Sequence, residues 1–472
     1  MSRTPGTPQP GRQGREGSLE APTRHPLEWR TEAFYDRAAL EKELERVFDI
    51  CHGCRRCFSL CNAFPTLFDA VDATTEGEVT AVDKRVFWEV VDHCYLCDMC
   101  FMTKCPYVPP HPFNVDFPHL MLRAKAVRAR RGGIALSERV LAATDTVGKL
   151  AGIPVVVEAV NAVNASRAGR ALLERTLGVD RTAPLPKYQA RTARTRLAAL
   201  GTVADAGAGA ASGAGAASSA AASSPAASPG TSGRVALFTT CYGNYNDPEL
   251  DEDLVAVLEH NGIEVVLLAR ERCCGMPRLE LGDLEGVARL KERNIPPLAA
   301  AAEAGFDIVA PVPSCVLMFK QELPLMYPED QAVQRVAARI FDPFEYLMLR
   351  HAAGELRTDF KCSLGKVSYH VPCHLRVQNI GLKTRDLLKL VPGTTLDTIE
   401  RCSGHNGTYG VKARFRAASV RIGRPVVERV QGAQCDHYAS DCPMAGEQIA
   451  AGLGGARAPE HPLRLLRMAY GI

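Results

Sequence analysis

The sequence predicts an α+β protein, with a helical, cysteine-rich N-terminal region followed by two small α/β units. Three observations predict it. Eight cysteines fall between Cys51 and Cys105, an Ala/Ser/Gly-rich stretch crosses the middle, and a cysteine-marked repeat follows that stretch. A length of 472 residues suits about three domains of roughly 100–200 residues each. Hydrophobic content of 46% excludes a wholly disordered chain. A net charge of +3, from 56 basic and 53 acidic residues, argues against nucleic acid as the main partner. The longest apolar stretch, 153–163, is broken by Glu158 and Asn161 and falls short of the roughly 20 residues of a bilayer span. No apolar core of a secretory signal is read in residues 1–27, so a cytoplasmic location is expected.

In order, 1–27 reads as a flexible tail and 28–133 as a cysteine-rich domain that opens with a helix over 32–48. A second helix over 120–131 carries Arg123, Lys125, Arg128, Arg130 and Arg131. That run reads first as a solvated face, then as a surface for an acidic partner. Residues 134–200 form a helical connector, with Leu136, Val140, Leu141, Val147 and Leu150 at helical spacing. Core packing is the first reading of those positions; docking on a membrane or partner helix is the second. Segment 201–233 reads as a linker. Within 202–233, 13 Ala, 7 Ser, 6 Gly and 2 Pro leave too little to bury to offset the entropy of ordering.

The C-terminal part repeats itself over 234–360 and 361–472. Cys241, Cys273 and Cys315 recur as Cys373, Cys402 and Cys442, at offsets of 132, 129 and 127 residues. Glu271-Arg-Cys273-Cys274-Gly275 matches Glu400-Arg-Cys402-Ser403-Gly404. Strand-like runs at 235–240, 264–268 and 308–312 alternate with helix-like ones at 250–261 and 284–304. That order predicts small α/β units with cysteines at the carboxyl ends of strands, where open sheets place ligands.

Seventeen cysteines in a large chain without an export signal point to metal rather than disulfides. The first motif is Cys51-His-Gly-Cys54-Arg-Arg-Cys57-Phe-Ser-Leu-Cys61; the second is Cys94-Tyr-Leu-Cys97-Asp-Met-Cys100-Phe-Met-Thr-Lys-Cys105-Pro106. Two-residue gaps let three thiolates wrap one cubane, while the fourth cysteine serves the neighbouring one. The expected ligands of one [4Fe–4S] cluster are therefore Cys51, Cys54, Cys57 and Cys105. Those of the other are Cys94, Cys97, Cys100 and Cys61. Two structural zincs are the competing reading, weakened because zinc sites usually show separated cysteine pairs. Asn62 stands where a proline normally follows, and four residues rather than three precede Cys105.

With both cysteine regions read, the chain resembles the iron–sulfur proteins related to heterodisulfide reductase. These include the iron–sulfur subunits of anaerobic glycerol-3-phosphate dehydrogenase and glycolate oxidase. The resemblance covers about 48–120 and 234–472 and implies a two-cluster ferredoxin-like domain followed by tandem "CCG" modules. In the first module it implies a metal set of Cys241, Cys273, Cys274 and Cys315, with Met318 in place of a last cysteine. In the second, Cys373, Cys402 and Cys442 remain, while Ser403 and Ala445 replace two others. His370, His374, His405 and Cys435 are candidate substitutes, His405 the best placed of them.

The function the resemblance implies is an electron-transfer subunit between a partner flavoprotein dehydrogenase and an acceptor such as quinone. Peripheral contact with the inner face of the plasma membrane goes with it. The alternative is a catalytic, heterodisulfide reductase-like protein that reduces a disulfide or other small substrate at a C-terminal iron–sulfur centre. No flavin or nicotinamide fingerprint is present in the sequence.

Overall fold

In the computed structural model, the structure describes residues 22–200, 204–205, 230–268 and 271–472, with only the backbone at 200 and 204–205. Most of the expected linker, and the expected tail up to residue 21, lie outside the described residues.

The N-terminal region is helical. A single 3-10 turn, Glu32–Tyr35, leads into α1 (Arg37–Cys54), where Asp36 caps the first turn by accepting from the Ala39 amide. Then come α2 (Ala63–Asp72), α3 (Lys84–His93), α4 (Met99–Thr103) and α5 (Phe117–Gly132). Asp116 caps α5 by accepting from the His119 amide, Pro118 occupies its first turn, and Gly133 ends it at φ +72°. Buried Leu44, Phe48, Phe64, Phe68, Phe87 and Phe117 fill the space between these helices.

The basic run of α5 is a solvated face only in part, at exposed Arg128, Arg130 and Arg131. Lys125 is buried, Arg123 donates to the Phe34 and Ala33 carbonyls, and Arg128 pairs with Asp92.

Five helices form the connector: α6 (Leu136–Ala142), α7 (Thr144–Ala151), α8 (Pro154–Ala165), α9 (Arg167–Leu177) and α10 (Ala193–Leu200). Core packing describes their apolar positions only in part: Val140, Leu141 and Val147 are half-buried. Leu136 is 73%, Leu150 60% and Val155 86% exposed. Among the described residues no single helix is long and apolar enough to cross a membrane; α7 and α8 reach that length together but meet at a 110° bend.

Two wholly parallel sheets follow. The first contains β1 (Ala204–Asp205), β2 (Arg234–Leu237), β3 (Glu264–Leu267), β4 (Asp307–Val309) and β5 (Ile340–Phe341), in the order β1-β3-β2-β4-β5. The edge strand β1 lies inside the stretch read as linker. The second sheet contains β6 (Lys366–His370), β7 (Thr395–Ile399) and β8 (His437–Ser440), in the order β7-β6-β8. The three repeat-bearing strands thus share one order in both units, with the first strand central. Helices cover both faces of each sheet, which is why β2 and β6 read as nearly continuous buried runs. The two units pack together through the C-terminal helix Pro462–Tyr470, whose Arg464 and Arg467 pair with buried Asp253 on Pro248–His260.

The expected tail is fixed from residue 22 onward. Leu27 N–H donates to the Leu325 carbonyl, Trp29 Nε1 to the Met326 carbonyl, and Arg24 is caged by acidic side chains.

Candidate metal centres

Cys51 and Cys54 sit on the last turn of α1, which Arg55 ends in the left-handed conformation (φ 52°). That reversal brings Cys57 back toward them, and Cys105 closes the group from the far side of the region. The four cysteines line one small cavity, walled by Ile50, Phe64, Tyr107 and Val115. Burial, and then the neighbouring thiols of Cys57, Cys105 and Cys54, push the Cys51 thiol well above its usual range. Burial followed by Cys105 and Cys54 pushes Cys57 up to about 12.

Cys94, Cys97 and Cys100 are threaded on a short loop in which Leu96 (φ 51°) and Asp98 (φ 57°) are both left-handed. Non-glycine residues rarely adopt that conformation, and such strain concentrates at functional sites. Here it turns amides toward sulfur: the Leu96 N–H faces Cys94, and the Met99 N–H faces Cys97. Cys61 joins this group. Burial and then Cys94 push its thiol up to about 12, against hydrogen bonds from the Ala63 and Phe64 amides. The structure thus places Cys105 with Cys51, Cys54 and Cys57 around one cavity, and Cys61 beside Cys94.

In the first C-terminal unit, Cys241 follows β2, Cys273 and Cys274 follow β3, and Cys315 follows β4. Gly275, at φ +106°, makes the turn that sets the adjacent pair, and buried Met318 packs over it. Thiol contacts run from Cys241 to Cys273, to Cys274, to Cys315. Hydrogen bonds from Cys241, Cys274, Thr144 and the Gly275 amide pull the Cys273 thiol well below its usual range, against burial. Thr144 of α7 donates to the sulfurs of Cys241 (3.3 Å) and Cys273 (3.4 Å). No sequence signal marks Thr144, since it reaches the set across 97 and 129 residues.

In the second unit Cys373, Cys402 and Cys442 follow β6, β7 and β8 in the same way. Burial, then Cys402 and Cys442, push the Cys373 thiol up. The Gly404 amide donates to Cys402 Sγ at 3.3 Å. Ser403 is buried beside them.

The substitutes named from sequence divide clearly. His370 is used on both ring nitrogens, by Ser440 Oγ and the Arg401 carbonyl. His374 Nε2 meets the Leu96 carbonyl. Cys435 lies in a separate core with Ile399 and Val426, its sulfur against Arg457. His405 Nε2 alone of the three histidines is buried without a partner, and burial followed by His374 and Arg416 lowers its pKa to about 4.

The sets also adjoin one another. Cys100 is within electrostatic reach of Cys57, and Cys97 of Cys373 and Cys402. Cys442 is within reach of Cys315. Thiols of the second C-terminal unit thus lie near thiols of both the N-terminal region and the first unit.

Iron–sulfur clusters suit this donor chemistry. The groups are all-thiol, their cysteines are buried or half-buried, and backbone amides aim at the sulfurs, as the outer shell of such clusters requires. A cation converts thiols that resist ionisation into thiolates, and binding is then coupled to folding. Among the described residues no three His, Cys, Asp or Glu side chains converge as one bound ion requires. In the first set the thiols instead line the walls of a cavity.

Fold and site together define an α+β iron–sulfur protein. Residues 235–320 match the family model described as "CCG: Cysteine-rich domain". The chain is 27% identical over 361 residues to an anaerobic glycerol-3-phosphate dehydrogenase subunit of Escherichia coli (strain K12), covering 76% of this chain and 83% of that one. It is 30% identical over 186 residues to lactate utilization protein A of Exiguobacterium sp., covering 38% of this chain and 74% of that one. It is also 28% identical over 253 residues to a fumarate reductase (CoM/CoB) subunit of Methanothermobacter marburgensis, covering 52% and 47%. The chain belongs to the CCG-domain iron–sulfur proteins related to heterodisulfide reductase.

Proposed function

We propose that the chain is an iron–sulfur electron-transfer subunit, working between a flavoprotein dehydrogenase and an acceptor such as membrane quinone. The observation that carries this reading is the unbroken series of cysteine groups. It runs from Cys51/54/57/105 to Cys94/97/100/61, on to Cys373/402/442 and finally to Cys241/273/274/315. The relatives named as dehydrogenase and reductase subunits support it.

In this reading, 28–133 is a ferredoxin-like domain for two [4Fe–4S] clusters, and 234–360 and 361–472 are tandem CCG modules for a further centre or centres. Bound there, such clusters supply one-electron transfer without proton or group transfer. The chain's own residues do the rest. The Ala63, Phe64, Leu96 and Met99 amides steady negative sulfur, and Thr144 does so in the first module. Burial keeps water away from the thiolates. Exposed Leu136, Leu150 and Val155 give the connector an apolar face for peripheral contact at the inner side of the plasma membrane.

One observation favours the second reading, catalysis on a disulfide or other small substrate. The second module has only three thiols, with buried Ser403 and unpartnered His405 beside them. An incomplete ligand shell is where a substrate binds. Activity separates the two readings. A relay passes electrons from a reduced flavoprotein dehydrogenase to a quinone analogue and leaves disulfides intact. Disulfide reduction driven by an artificial donor alone would replace the relay with the catalyst.

A further inference from the structure

A cavity of about 260 Å³ opens between α5, the turn into α6 and both C-terminal units, apart from the cysteine sets. It is several times the roughly 30 Å³ share of one water, and it lies at the small end of ligand pockets. Most charges on its wall are already spent. Arg128 pairs with Asp92 at 2.5 Å, Arg414 reaches Glu138 at 3.2 Å, and Lys412 behind the wall pairs with Glu138. Lys125 is different. Its ammonium is 4% exposed, donates only to the Cys94 and Glu280 carbonyl oxygens, and lies 4.4 Å from the centre of the Tyr95 ring. Among the described residues it makes no salt bridge.

Among the described residues Glu280, the nearest acid, makes no ion pair with Lys125. Glu280 is 2% exposed, and one of its carboxyl oxygens has no hydrogen-bond partner. It occupies the space left by Gly407, where an added Cβ would stand 2.0 Å from that oxygen. Burial raises the Glu280 carboxyl to about 7, against the pull of Lys125 and Lys412 and with a push from Cys273. A buried cation without a full counter-charge is costly, and a ligand carboxylate would remove that cost. The rest of the wall is apolar: Ala129, Ile134 and Leu281. An inorganic ion would leave those side chains uncovered.

We propose that this cavity binds a small organic acid, its carboxylate paired with the Lys125 ammonium and its carbon skeleton laid against Ala129, Ile134 and Leu281. None of these side chains is itself a member of the cysteine sets; Lys125 meets them through the Cys94 carbonyl, and Ala129 does not.

Calorimetric titration of the full, anaerobically purified chain tests it with three probes: succinate, its neutral diamide, and inorganic phosphate. Succinate binds, and the diamide and phosphate bind at least tenfold more weakly. Lys125→Met loses succinate binding. Ala129→Phe fills the cavity while keeping every charge, and it loses binding too, so the result stands even where Lys125→Met does not fold. Equal binding of succinate and diamide, equal binding of phosphate, no binding of succinate, or unchanged binding by Ala129→Phe would each overturn the proposal.

Discussion

The Arg24 guanidinium donates to the Asp98 carboxylate across 2.6 Å, tying the N-terminal segment to the loop between Cys97 and Cys100. The same guanidinium meets Asp116 at 2.8 Å and Glu322 at 3.5 Å, and it lies over the Phe101 ring. Glu322 belongs to the first C-terminal unit, so one side chain joins three parts of the molecule. Arg24→Gln leaves three acids buried together. Losing one partner of a buried ion pair costs about 3–5 kcal/mol. Urea unfolding should show a loss of that order, with iron released at lower urea than from the parent. An unchanged midpoint would mean that the cage is satisfied without Arg24.

Asp116 carries a pH signature. Burial raises its carboxyl, but His119 and Arg24 outweigh burial and bring it down to about 2. A folded-state pKa below the unfolded value of about 3.9 stabilises the protein above that value, and the stabilisation is lost as pH falls toward 2. The shift corresponds to about 2–3 kcal/mol. Asp116→Asn should lower stability by about that amount at pH 6, and the difference from the parent should shrink as pH falls below about 4. A difference that stays constant from pH 6 to pH 3 would contradict the assignment.

The crossed grouping of the N-terminal cysteines makes a selective prediction. Cys105 lies with Cys51, Cys54 and Cys57, not with the cysteines nearest to it in sequence. Cys105→Ser should remove about half of the roughly eight irons expected for two cubanes. The EPR signal that survives should be the one lost in Cys94→Ser. Loss of the same signal in both variants would show that the sets are assigned wrongly.

The C-terminal sets are chemically unequal. Cys274 touches both Cys273 and Cys315, whereas Ser403 offers only a hydroxyl at the matching place. Cys274→Ser should strip iron from the first unit, and Ser403→Cys should raise iron retention in the second. Iron content identical to the parent in both variants would mean that neither unit holds metal.

The connector's apolar face predicts partition onto lipid. Burying a large aliphatic side chain gains roughly 1.5–3 kcal/mol, so Leu150 and Val155 together carry much of any such attachment. In co-sedimentation with phospholipid vesicles, the double variant Leu150→Asp/Val155→Asp should bind at least tenfold more weakly than the parent. Equal sedimentation would assign this face to a protein partner.

Short-range spacing made the candidate cysteine groups and the repeated strand–cysteine pattern legible in the sequence. The gaps within Cys51–Cys61 and Cys94–Cys105 restrict which thiols can share a cluster. The recurring offsets alone place Cys373, Cys402 and Cys442 at strand ends. Long-range relationships left no such trace. Arg24 and Asp98 are 74 residues apart, and nothing local announces that one buries the other's charge. Lys125 sits in a basic run whose simplest reading is a wet surface, yet carbonyl oxygens and an aromatic ring enclose it. Periodicity in the connector marked an apolar face correctly, but periodicity does not say whether that face meets the core or the outside.

The adjacency of the two N-terminal thiol sets underlies the whole electron path, and EPR of the dithionite-reduced, anaerobically purified chain tests it most directly. The spectrum should show two [4Fe–4S] signals broadened by mutual spin coupling, with acid-labile sulfide equal to iron. Stoichiometric zinc without sulfide, or two signals with no coupling between them, would contradict it.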